Sequence, residues 1–180
     1  RAGVGPANPD SCWLELGAGE GAFTLALADL LGPGATIVAV DRDATALARL
    51  SATMQAHFPG TSLERLRTDV RDPLPEGPFD GVLAANSLHF LIDPVPVLRN
   101  AANRLQPGGR LIVVEYDADH GNRWVPHPLS SGRFPAIAAA AGFGPAREIG
   151  RVPSRFLGAI YATATDLRPG RASGHLDRHP

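Results

Sequence analysis

The residues that could do chemistry begin with a glycine-rich loop, Gly17-Ala18-Gly19-Glu20-Gly21-Ala22, which follows the short apolar run Cys12–Leu16. Glycines there let the backbone turn sharply and let a ligand approach without meeting a Cβ. Gly17, Gly19 and Ala22 satisfy the dinucleotide fingerprint with alanine at its third position. Asp41 follows at about the twenty-residue distance where an acid that accepts from a ribose diol belongs. The local charge argues against a dinucleotide. Glu20 sits where a helix begins, and there it would compete with a pyrophosphate for the positive end of that helix. Glu15, two residues before Gly17, adds a second negative charge. Such a loop better suits a ligand with ammonium or sulfonium groups and no phosphate.

Composition removes several other chemistries. The chain has 180 residues and a formal net charge of −1, and all 17 basic residues are Arg. Without lysine there is no Schiff-base nucleophile and no P-loop lysine. The single cysteine, Cys12, excludes an internal disulfide and a multi-cysteine zinc site. Near-neutral charge gives no electrostatic reason to expect nucleic acid or an anionic membrane. No stretch approaches the roughly 20 apolar residues of a membrane span. With no paired cysteines, a cytoplasmic location is expected. Ser87, Ser130 and Ser131 lack the context of a nucleophile elbow. His175 and His179 flank Asp177 at a spacing that could place two ligands on one helix face, but Leu176 stands where a zinc-protease helix carries Glu. No metal site is therefore expected.

These groups need elements to hold them, and strand-like and helix-like segments alternate along the chain. Residues 12–16 and 36–40 (TIVAV) read as strands buried on both faces. Between them Phe23, Ala26, Leu27 and Leu30 recur at helical spacing, and Gly32 supplies a stop. Asp43 can cap a helix whose apolar residues are Leu47, Leu50 and Met54. Residues 62–68 alternate like an edge strand, and 79–84 form another buried one. Asp93 and Pro94 open a helix in which Val95, Leu98, Ala101, Ala102 and Leu105 share a face. Pro107-Gly108-Gly109 breaks it ahead of the strand 110–116. A helix over Phe134–Ala141 and strands near 147–152 and 156–163 complete the pattern. Alternating units of this length imply an α/β domain with a parallel sheet and helices on both faces. It is expected over residues 11–164, after an N-terminal extension, 1–10, and before a polar tail, 165–180.

Leu14-Glu15-Leu16-Gly17-Ala18-Gly19-Glu20-Gly21 resembles the first motif of class I S-adenosylmethionine-dependent methyltransferases. Val40-Asp41 matches the acidic end of their second strand, and Thr68-Asp69-Val70 the end of their third. Residues 79–90 are similar to their fourth strand and following loop, and Leu105-Gln106-Pro107-Gly108-Gly109-Arg110-Leu111 to their junction with the fifth. Each motif is weak alone; five in order are specific. The resemblance implies a Rossmann-like, doubly wound sheet of seven mostly parallel strands with the last antiparallel. It implies S-adenosylmethionine as cofactor, S-adenosylhomocysteine as product, and a small-molecule methyl acceptor, with a homodimer allowed.

The same resemblance assigns Gly17, Ala18 and Gly19 to the methionine end of the cofactor. Glu15 would orient the loop or the ammonium group, or be a charge satisfied by neighbouring backbone N–H groups. Asp41 would accept from the ribose, Arg42 would flank the adenine, Asp69 and Val70 would hold its amino edge, and Asn86 would lie near the methionine moiety. Transfer is in-line to a nucleophile, and a base is needed only if that nucleophile arrives protonated. His89, Glu115 and Tyr116 are the candidates, near carboxyl ends of expected strands; His89 and Glu115 are preferred. His120, Trp124 and His127 lie in a Pro-rich segment that could cover the acceptor. Two alternatives stay open: a non-catalytic methyltransferase-like subunit, and a nicotinamide oxidoreductase other than the Tyr–Lys type.

Overall fold

The computed structural model describes residues 3–5 and 8–168. Seven strands form one sheet: β1 (Cys12–Leu16), β2 (Thr36–Asp41), β3 (Ser62–Arg67), β4 (Phe79–Ala85), β5 (Leu105–Asp117), β6 (Arg147–Pro153) and β7 (Ala159–Asp166). Their order is β3-β2-β1-β4-β5-β7-β6. The pairs from β3 through to β5 are parallel, and β7 runs antiparallel to both β5 and β6. The fold is thus the expected Rossmann-like sheet with an antiparallel last strand. Four helices cover it: α1 (Ala22–Leu31), α2 (Ala44–His57), α3 (Val95–Ala102) and α4 (Phe134–Ala141). The interior divides into two apolar layers. One joins Leu27, Leu31, Leu47, Leu50 and Met54 of α1 and α2 to one sheet face; the other joins Leu98, Ala101, Phe134 and Ala138 of α3 and α4 to the opposite face.

Local chemistry accounts for most boundaries. Asp43 caps α2 by accepting from the Thr45 and Ala46 amides, and Gly32 closes α1 at φ 82°. Asp93 Oδ1 accepts from Val95 N at 2.9 Å and starts α3. That helix stops at Ala102, so Leu105 is not on its face but opens β5. Phe79 pairs with Leu105 and Gly81 with Arg110, which places Pro107-Gly108-Gly109 in a bulge of β5 rather than ahead of it. β7 starts at Ala159, and it runs to Asp166, with Leu167 bridged to Phe143. Pairing with β5 therefore carries ordered structure past 164. His175, Asp177 and His179 lie outside the described residues. Among those described, no helix is long and apolar enough to cross a membrane.

Strand order reverses between β1 and β4. In a doubly wound sheet the loops leaving the carboxyl ends of such strands diverge and open a crevice. Every expected site residue lies on or next to β1, β2, β3, β4 or β5 at that edge.

Candidate active site

The glycine loop is tied to the end of β2. Gly17 N and Ala18 N both donate to the Val40 carbonyl, at 2.8 and 3.0 Å. Gly19 N donates to Asp41 Oδ2 at 2.7 Å, and Asp43 N donates to Asp41 Oδ1 at 2.8 Å. Asp41 therefore organises the loop; Asp43, not Asp41, caps α2. Each carboxylate oxygen keeps further lone-pair capacity for a ligand. Gly17 and Gly19 have φ of 75° and 55°, a region that side chains disfavour. A Cβ on Gly17 would stand 2.6 Å from Ser87 Cβ, whereas one on Gly19 would meet nothing within 4 Å. The first glycine lets the loop pack on β4, and the second leaves space open.

That space is a cavity of about 610 Å³. Seven of the nine residues expected at the cofactor line it: Gly17, Gly19, Asp41, Arg42, Asp69, Val70 and Asn86. The other two stand behind the wall. Ala18 is 7% exposed. Glu15 is 1% exposed and accepts a hydrogen bond from Thr24 Oγ1 at 2.5 Å. Burial pushes its carboxyl up to about 7, against the Thr24 hydrogen bond that pulls it down, and the Asp41 charge adds to the rise. The neighbour that satisfies Glu15 is a hydroxyl, not the backbone.

At the other end of the cavity, Arg71 donates to both oxygens of Asp69, at 2.8 and 2.7 Å, and its own amide donates to Oδ1 at 3.0 Å. These side-chain hydrogen bonds, then the backbone one, hold the Asp69 carboxyl down to about 2. Asp69 also forms a turn, since Asp72 N donates to its carbonyl at 3.0 Å. Asn86, past the end of β4, has φ 51°, and its amide donates to Val114 O at 2.8 Å. Its side-chain Oδ1 and the neighbouring Ser87 Oγ are buried without a hydrogen-bond partner. Buried polar atoms are rarely left unmatched in native proteins. Two of them on one wall fit a ligand end that both donates and accepts, as an amino-acid moiety does.

His89 and Glu115 are brought together, though they stand 26 apart in sequence: His89 Nδ1 lies 2.8 Å from Glu115 Oε2. Oε1 accepts from the Leu88 and His89 amides at 2.8 and 3.2 Å. Glu115 thus fastens a 3₁₀ turn, Leu88–Phe90, to the end of β5. The pair is 4% and 0% exposed at its side chains. Neither residue lines the cavity; Phe90, packed 4.2 Å from the His89 ring, does. Tyr116 meets the same ring edge-on at 5.6 Å. Trp124, 68% exposed with the Arg123 guanidinium 5.1 Å from its ring centre, and His120 stand away from the cavity, as does His127. Among the described residues, no group of three or more His, Cys, Asp or Glu could hold a metal ion.

Ser87, Phe90 and Arg71 line the cavity without having been singled out for it. Adjacency to Asn86 was the available signal for Ser87. The Arg71 ion pair follows from a turn whose shape spacing alone does not give.

Sheet order, glycine loop and the acids closing β2 and β3 together define a class I S-adenosylmethionine-dependent methyltransferase architecture. A family model described as methyltransferase domain matches residues 14–111, more than half the chain, and the chain belongs to that family. It is 31% identical over 176 residues to a reducing polyketide synthase of Penicillium, covering 84% of this chain and 7% of that protein. It is 31% identical to a ubiquinone/menaquinone biosynthesis C-methyltransferase of Hahella chejuensis, covering 57% of this chain and 42% of that one. It is 32% identical to an arsenite methyltransferase of Aquipseudomonas alcaligenes, covering 64% and 36%. The chain thus spans less than half the length of each. Among solved structures, a methyltransferase from Aquifex aeolicus superposes with TM-score 0.70 at 19% identity, covering 92% of this chain and 86% of that chain. The likeness of fold is therefore close at low identity.

Proposed function

We propose that this chain transfers a methyl group from S-adenosylmethionine to a small organic acceptor. The observation that carries the reading is the cavity wall itself: Asp41, Asp69 and the orphaned Asn86 Oδ1 stand around one open glycine loop. When bound, the cofactor supplies a methyl group on a sulfonium, a carbon already activated for transfer, so the protein's task is positioning. Asp41 would accept from the ribose hydroxyls. Asp69 and Val70 would hold the adenine edge, with Arg42 beside it. Gly17, Gly19 and Asn86 would receive the methionine end, while Ala18 and Glu15 support the loop from behind. The relatives' names point to quinones, arsenite and polyketides, which supports a small acceptor over nucleic acid. The net charge of −1 favours the same side.

His89 is the proposed proton acceptor for nucleophiles that arrive protonated, and Glu115 its positioning partner. With the shared proton on Nδ1, Nε2 is left free to accept one. Phe90 must then yield for His89 to reach the cavity. Substituting His89 by Asn should lower kcat for acceptors that arrive protonated and spare those that need no base; an equal loss on both would assign His89 to packing alone.

Calorimetry tests the reading as a whole. S-adenosylhomocysteine should bind the wild-type chain stoichiometrically and NAD should not. Binding of NAD alone would replace the proposal with nicotinamide chemistry, and cofactor binding without turnover on a broad acceptor panel would leave a non-catalytic subunit.

A further inference from the structure

A second cavity, of about 400 Å³, adjoins the first and shares Arg71, Phe90 and Leu91 with it. The two lie side by side at the turn that leaves β4. Its apolar wall is made by Phe90, Leu91, Ile92, Pro96 and Val97. Phe90 is 59% and Ile92 86% exposed. Single exposed apolar residues are ordinary, but these two flank one opening beside the proposed reaction site.

The polar side chains on that wall are already engaged. Arg71 holds both oxygens of Asp69. Asp93 Oδ1 takes the Val95 amide, and Asn100 Nδ2 donates to Asp72 O at 3.4 Å. Asp69 neutralises Arg71, and Asp93 is the remaining charge on the wall. Such a wall offers an occupant apolar contact and no free cation to meet an anion, and its volume lies in the range of small-molecule sites.

On the methyltransferase reading, we infer that the acceptor is a neutral molecule with an apolar body, a ring or short alkyl chain. That body rests on Phe90 and Ile92, and its nucleophile reaches the cofactor cavity past Phe90. Phe90 and Ile92 are then specificity-determining residues, and anionic acceptors are poor ones.

Two fluorophores of similar shape test this: neutral N-phenyl-1-naphthylamine and anionic 1-anilinonaphthalene-8-sulfonate. They are titrated into the wild-type chain and an Ile92→Asp variant, with and without S-adenosylhomocysteine. Ile92 is 86% exposed, so the variant should fold. The neutral dye should bind the wild type at one site and persist with S-adenosylhomocysteine present. It should weaken about tenfold in Ile92→Asp, because a charge is set against its apolar body. The anionic dye should bind the wild type more weakly than the neutral one. Equal neutral-dye affinity in the variant, equal affinity for both dyes, or displacement by S-adenosylhomocysteine overturns the inference. So does a wild-type dimer in sedimentation that Ile92→Asp splits, which would give this face to a second copy. Calorimetry on the same samples separates the two readings: if S-adenosylhomocysteine does not bind the wild type, the methyltransferase proposal fails, and the dye titrations without it still judge the groove.

Discussion

Asp41 shows how one carboxylate can serve the fold and the ligand together. Its two oxygens take the Gly19 and Asp43 amides, so the loop is set before any ligand arrives. Asp41→Asn keeps one of those two acceptors, sets an NH2 donor against the other amide, and loses the charge. Calorimetry with S-adenosylhomocysteine should show binding weaker by about 1–3 kcal/mol; unchanged affinity would take Asp41 out of the site. Glu15 yields a prediction with a definite sign. Its carboxyl lies at about 7 in the folded chain against 4.5 as the ordinary value. Between those values the folded chain binds more protons at Glu15 than the unfolded one, so the contribution of Glu15 to stability is full below 4.5 and is lost as pH rises through 7. The drop should be on the order of 3 kcal/mol. Urea unfolding at pH 5 and pH 8 should show it in the wild type, and Glu15→Gln should flatten it; an equal slope in both would mean Glu15 is not the source.

At the scale of elements, the turns rather than the helices hold the site. Gly17→Ala would place a methyl 2.6 Å from Ser87 Cβ at a φ of 75°. It should cost roughly 1–3 kcal/mol of stability by backbone strain alone, read as a shift in urea midpoint, and also cofactor affinity. Glu115→Ala would leave two buried amides and the His89 ring without their acceptor, and should destabilise by about 3 kcal/mol or more; a near-wild-type melting curve would show that the 3₁₀ turn does not depend on it. Most elements were legible because local rules decide them. Residues 36–40 are continuously β-branched or small, Asp43 precedes a helical apolar period, and the acids at 41 and 69 follow expected strands. The bulge at Pro107-Gly108-Gly109 was not, because breaker residues look alike in a loop and in a β-bulge. The joining of His89 to Glu115 and the release of Ser87 Oγ from any partner were not legible either. Both depend on β4 and β5 lying side by side, which no local spacing states.

Across the whole molecule, the two apolar layers separate two duties. α1 and α2 back the strands whose ends form the cofactor cavity, while α3 and α4 pack under the turn that carries Phe90 and Ile92. Both outer strands are mostly exposed and carry charges, Glu64, Arg65 and Arg67 on β3 and Arg147, Glu148 and Arg151 on β6, which discourages edge-to-edge pairing. β7 is different: the last strand among the described residues, it lies between β5 and β6. All the groups expected at the cofactor are present once the chain has been made to residue 117. Yet β5, with Leu111, Ile112, Val113 and Val114 buried, keeps an open apolar edge until residues 159–166 leave the ribosome and zip against it. During synthesis the half that carries the expected cofactor groups therefore waits with that edge exposed for a strand that supplies none of them. A nascent chain stalled before Ala159 should be protease-sensitive and chaperone-bound, and one released past Leu167 should not.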